Sequence, residues 1–212
     1  MLDYSIGEVE SLVLKAYRGA GFSWGMAQEA GQAAAYLAMY GLPSVEQFAA
    51  LMSQIDGKRN SQLVPLMHVV GRWSNPSSKL CPVVAGTAWS DSDQTAIELP
   101  LVLENVLQPL LLLPFLSASE EPLEVTFGDR QYLCGNRLVS ELKPAQTSFP
   151  AVANVELTCT ADTPEDSLPF TRRAIVEEAA VALLSRFAHR TYVPATTASR
   201  LAGAGAGLLD ND

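Results

Sequence analysis

Residues 21–25, Gly-Phe-Ser-Trp-Gly, spell G-x-S-x-G. That is the pattern of a nucleophile elbow, in which a strained strand-to-helix turn exposes a serine hydroxyl for acyl transfer. The chain order serine, acid, histidine is available through Ser23, Asp166 and His189. The surroundings argue otherwise. The stretch before Ser23 reads as a helix ending in Gly19-Ala20-Gly21, and the alternating strands and helices of a hydrolase sheet are missing. Ser23 is therefore expected to cap the next helix, with Trp24 packed in the core. A serine hydrolase acting through Ser23 is a remote alternative.

Arg172 and Arg173 fall in the expected first turn of a last helix over about Thr171–Arg190, where the macrodipole disfavours cations. Two arginines beside free helix-terminal N–H groups would bind a carboxylate or phosphate. The blander reading is neutralisation by Asp162, Glu165 and Asp166 just upstream. His189 and Arg190 sit in the last turn of the same helix, where positive charge suits the dipole and ordinary capping suffices. His68, in "LVPLMHVV", reads as a hydrogen-bonded core residue. With two histidines and no paired spacing, no metal centre is expected. The terminal Asp-Asn-Asp reads as solvated.

The tail "LAGAGAGLLDND" carries Gly203, Gly205 and Gly207. A dinucleotide loop needs a strand before such glycines and a helix after them, and a Walker loop needs a Lys-Ser or Lys-Thr. Neither context is present, so no cofactor is assigned. Glycines do permit close backbone approach. The tail is expected to lie against its own domain or a neighbouring subunit.

The elements that would position these residues are legible in outline. Ser5 and Glu8 make an S-x-x-E capping box ahead of Ile6, Val9, Leu12, Val13 and Ala16 at helical spacing. A second helix runs from "WGMAQEAGQ" to Gly41, and its many alanines and glycines leave a smooth face. A third is expected behind a second box, Ser44 and Gln47. From about residue 62 the short runs "LCPVVAGTAW", "TAIELPLVL", "LEVTF", "RQYLC" and "ANVELTCT" read as strands. Gly128-Asp129 reads as the two-residue turn of a hairpin. The class is α+β: an N-terminal helical layer over residues 1–60, a mainly antiparallel sheet over 61–162, and a long C-terminal helix with a Gly-Ala tail over 163–212, taken together as one domain without βαβ alternation.

Composition sets further bounds. Net charge is −9 and the longest basic run is two residues, which excludes a phosphate-backbone binder. The greasiest stretch, "VLQPLLLLPFL", is far short of the roughly 20 residues of a spanning helix, so no membrane is expected. The start "MLDYSIGEVE" has no apolar signal core. Cys81, Cys134 and Cys159 read as buried thiols of a reducing cytoplasm. Only 17% of residues are charged, and so lean a surface suits a partner subunit.

The stretches "RGAGFSWGMAQEAGQAAAYLAMYGLP" and "YVPATTASRLAGAGAGLLDND" resemble the bacterial domain-of-unknown-function family numbered 3726. The resemblance implies a cytoplasmic bacterial protein with no assigned activity, and it supplies no catalytic residues. Three readings stand. The first is a non-catalytic interaction or assembly protein, expected to be a homo-oligomer or to have a protein partner. The second is a binding module or enzyme for a small anionic ligand, centred on Arg172, Arg173 or the Trp24 region, with Ser23, Trp24, Arg172, Arg173, His189 and Arg190 as its speculative binding residues. The third is the hydrolase. Whether the protein is an enzyme stays open.

Overall fold

The computed structural model describes residues 1–75, 79–143, 148–164, 168 and 170–192, without the side chains of Asn60 and His68. The Gly-Ala tail, and with it the expectation that it lies against its own domain or a neighbouring subunit, falls outside the described residues, as do Glu165 and Asp166.

Ser5 and Glu8 cap each other reciprocally. Ser5 Oγ accepts from the Glu8 amide at 3.3 Å and the Ser5 amide donates to Glu8 Oε2 at 2.7 Å. From that cap runs α1, Ile6–Gly19. Helix α2 follows over Trp24–Met39 and α3 over Ser44–Ile55. The expected box at Ser44 does not form. Pro43 is the N-cap, Ser44 already lies inside the helix with its side chain buried, and no side chain caps this end.

The C-terminal region departs further from expectation. Strand β1, Leu2–Ser5, pairs antiparallel with Arg173–Val176, in register from Leu2↔Val176 to Ser5↔Arg173. The last helix therefore begins only at Glu178 and ends at His189. An extended partner at the other end of the chain captures a segment whose Ala-Ile-Val core suits a strand. That last helix packs on α1 and α3, completing a four-helix layer. The smooth face of α2 meets α1: a Cβ at Gly31 would sit 3.0 Å from the Glu10 carbonyl oxygen and 3.2 Å from Leu14 Cβ. Small residues there let the two backbones approach closely.

The sheet is mixed. In chain order its strands are β2 (Leu66–Val69), β3 (Arg72–Ser74), β4 (Leu101–Leu107), β5 (Leu123–Phe127), β6 (Arg130–Gly135), β7 (Leu138–Lys143) and β8 (Val152–Cys159). They lie side by side as β2-β3-β4-β8-β5-β6-β7. All neighbours are antiparallel except β3 and β4. The parallel pair is joined through a helix, α4, over Pro82–Asp91, in the segment expected to be a strand. An unbroken apolar run fits a buried strand and a buried helix equally, and Pro82 in its first turn marks the helix. One βαβ unit thus exists where none was expected. A short helix, α5 (Leu113–Ser117), covers part of β6 and β7. Strand β9 is the Arg173–Val176 segment and α6 the Glu178–His189 helix.

Gly128-Asp129 turns the β5–β6 hairpin as its sequence requires, with Phe127 paired to Arg130. The buried apolar side chains form one continuous cluster, from Val13, Leu37 and Phe48 of the helices to Leu103, Val125 and Val155 of the sheet. Among the described residues no helix is long and apolar enough to cross a membrane.

Candidate functional site

Ser23 lies at the N-cap of α2, where its Oγ accepts from the Met26 amide at 3.3 Å. The element before it is α1, followed by Gly21 at φ 94°, so the strand-to-helix frame of an elbow is absent. Trp24 is not in the core. The residue is 68% exposed, and the Arg18 guanidinium lies 4.5 Å from its ring centroid. The position expected of Trp24 belongs to Phe22, which is buried against Tyr17 at 4.9 Å between centroids.

Arg173 is on β9, not in a helical turn. Its Nε donates to Asp3 Oδ1 and Oδ2 at 2.7 and 2.9 Å, and Nη2 donates to the Asp3 carbonyl at 3.3 Å. Its carboxylate partner among the described residues thus comes from β1. Arg172 is exposed and has no ion pair among the described residues. At the far end of α6, Arg190 grips Asp56 with Nη1 to Oδ1 at 2.7 Å and Nη2 to Oδ2 at 3.0 Å. His189 sets its ring edge-on to Tyr192 at 5.1 Å, beside a cavity of about 240 Å³ that Tyr4, Glu8 and Lys15 also line. The six residues singled out by sequence occupy three separate places: the start of α2, the β1–β9 ribbon and the end of α6. Among the described residues, no hydrogen bond or ion pair connects these places.

Two features escaped the sequence reading. The first is a cleft of about 280 Å³ between α2, the end of α4, α5 and the β6–β7 turn, lined by Glu29, Gln32, Tyr36, Ser90, Ser117 and Arg137 among others. Asn136 and Arg137 form that turn, with φ of 53° and 61°. Left-handed backbone at both positions is the habit of Asn-Gly; here an arginine stands where glycine is favoured. Its backbone is held from both sides. The Arg137 amide donates to the Ser117 carbonyl at 2.7 Å, and its carbonyl accepts from the Tyr36 and Tyr40 hydroxyls at 3.0 and 3.5 Å. Burial raises the Tyr36 phenol far above its ordinary value, so that donor stays protonated. The signal in the sequence was "CGNRLV", a hairpin turn with a charged residue at its tip.

The second is the edge of the sheet. Strand β2 ends the strand order, so no strand among the described residues pairs with its outer edge. Val64, Leu66, Met67, Val69 and Val70 are all exposed, Val69 to 51% and Val70 to 74%. Because neighbouring side chains in a strand point to opposite faces, exposure of both Leu66 and Met67 means that each face of β2 is partly open.

Comparison with known proteins gives a family match over part of the chain. Residues 4–81 match the model of the family described as a protein of unknown function, DUF3726. The DUF3726 segment runs from β1 to the residue before α4, so it carries Ser23, Trp24, the α2 wall of the cleft and the whole of β2. Ser90, α5 and Arg137 lie beyond it. No curated protein matches the chain. Among solved structures, the malate dehydrogenase of Entamoeba histolytica superposes with a TM-score of 0.42 at 13% identity, over 73% of this chain and 49% of that one. The chain thus spans about half of that enzyme's length, and at this level of likeness neither fold nor activity transfers.

Proposed function

We propose that this is an interaction protein that assembles with a second copy of itself through strand β2. The observation that carries the reading is the run of exposed apolar residues on an edge with no partner strand among the described residues. Natural edge strands are usually blunted by lysine, proline or a covering loop, and exposed apolar patches mark contact surfaces. The opposite edge follows that rule, since β7 ends in Glu141, Leu142 and Lys143. From residue 60 to residue 71 there is no Asp, Glu, Lys or Arg. In a chain of net charge −9, such an uncharged edge is where an equally acidic copy meets least repulsion. Antiparallel pairing of two β2 strands would satisfy the outer backbone groups of both and cover the valines. The free thiols, Cys81, Cys134 and Cys159, suit a reducing cytoplasm, the setting this reading keeps.

Native mass spectrometry tests the assembly. The full chain is expected to be a dimer, and Met67→Lys with Val69→Lys is expected to give a folded monomer with an unchanged circular dichroism spectrum. A chain truncated after Tyr192 should stay dimeric, because the edge rather than the tail holds it. A wild-type monomer at micromolar concentration, or a dimer indifferent to both lysines, overturns the reading.

A further inference from the structure

We infer that the cleft between α2, α5 and the β6–β7 turn is a binding site for a small zwitterion of the α-amino acid class. This inference is independent of the edge-strand reading. Glu29 on one wall and Arg137 on the other carry opposite charges, and neither forms an ion pair among the described residues. A ligand bearing both an ammonium and a carboxylate answers both at once.

The hydroxyls of the cleft sharpen the assignment. Tyr36 donates its proton to the Arg137 carbonyl at 3.0 Å, Ser90 to the Gly86 carbonyl at 3.1 Å, and Ser117 to the Pro114 carbonyl at 2.8 Å. A hydroxyl whose proton is committed inside the protein offers a ligand only its lone pairs. Ser117 is buried and its hydroxyl is engaged by Tyr36, so the Tyr36 and Ser90 oxygens and the Glu29 carboxylate make an acceptor wall, fit for the three N–H groups of an ammonium. Arg137 supplies the donors for a carboxylate, as a planar fork that matches two oxygens.

The turn has the marks of a positioning device. Left-handed backbone is unfavourable for a residue with a Cβ, and such strain persists where the surroundings over-determine it. Here Ser117, Tyr36 and Tyr40 hold the Arg137 backbone in place at the rim of the cleft that Arg137 lines. A volume of about 280 Å³ lies at the small end of ligand pockets and suits a free amino acid rather than a nucleotide.

Isothermal titration calorimetry on the full chain tests the site, with L-serine and L-glutamine as probes. Lactate, which lacks the ammonium, and ethanolamine, which lacks the carboxylate, are the comparators. At least one amino acid is expected to bind in the millimolar range or tighter, with both comparators weaker by about tenfold or more. Arg137→Gly is expected to lose at least about tenfold in affinity without lowering the unfolding temperature, because glycine suits the left-handed turn. Glu29→Gln should erase the preference for L-serine over lactate. No binding of either amino acid, lactate binding as tightly as L-serine, or undiminished binding by Arg137→Gly would each overturn the assignment.

Discussion

Gly19 and Phe187 touch through their backbones: the α-carbon of Gly19 faces the Phe187 carbonyl so closely that a Cβ would overlap the oxygen. The contact joins the end of α1 to the last turns of α6 and sets how tightly the C-terminal helix docks on the N-terminal layer. Gly25, in the first turn of α2, has nothing within 4 Å of a Cβ position.

The two glycines should therefore respond oppositely to the same substitution. Gly19→Ala forces α6 away from α1 and is expected to cost about 2 kcal/mol, despite alanine's better helix propensity. Gly25→Ala has no such clash and should add about 0.5 kcal/mol. Urea titration with unchanged m-values measures both. A stabilised Gly19→Ala would mean that the close approach does not exist.

Asp56 and Arg190 give a pH-dependent contribution. The hydrogen bonds from Arg190 hold the Asp56 carboxyl below its ordinary value of 3.8. A depressed acid stabilises the fold fully above its unfolded pKa, and that stability is lost as pH falls through the lower folded value. Both side chains remain well solvated, so screening holds the gain to about 0.5 kcal/mol. Asp56→Asn should be less stable than wild type at neutral pH and equal to it in strong acid. A double-mutant cycle with Arg190→Gln reads the coupling directly.

Thiol labelling separates the cysteines. Cys81 and Cys134 are buried and Cys159 is exposed. Burial pushes the Cys81 thiol up to about 11 and that of Cys134 further still, which leaves almost no thiolate at neutral pH. Ellman's reagent should label one thiol quickly in the native protein and all three in denaturant. Cys159→Ser should remove the fast phase, and any fast phase left in that variant would contradict the burial.

Tryptophan quenching checks the position of Trp24. The residue is exposed, while Trp73 and Trp89 are 4% and 2% exposed. Acrylamide should quench a single red-shifted component, and Trp24→Phe should abolish that component while the blue-shifted emission stays. An unchanged Stern–Volmer plot in Trp24→Phe would return this residue to the core.

Much of the candidate site was invisible in the sequence because its parts are far apart. Glu29 and Arg137 share a cleft only through the docking of α2 against α5 and a hairpin turn. Helical periodicity marks Tyr36 and Tyr40 as neighbours on one face, but nothing in their spacing names Arg137 as their partner. Cys159 misled for another reason. Alternation along β8 places it with the buried Val155 and Leu157, yet the strand ends there and the covering layer stops short of it.

What the sequence determined by itself is the set of features closed by contacts a few residues long. The Ser5–Glu8 cap, the Ser23 cap, the first three helices and the Gly128-Asp129 hairpin all rest on hydrogen bonds and packing within one turn of chain. Those interactions are the same whatever surrounds them. The tertiary structure decided everything that depends on a remote partner. Residues 173–176 became a strand because β1, 170 residues earlier, offers it an edge. The Pro82 segment became a helix because its place between β3 and β4 needs a crossover. Trp24 faces water because Phe22 occupies the core site beside Tyr17. A short apolar segment has no preference strong enough to resist such neighbours, so its conformation and its exposure follow from the packing around it.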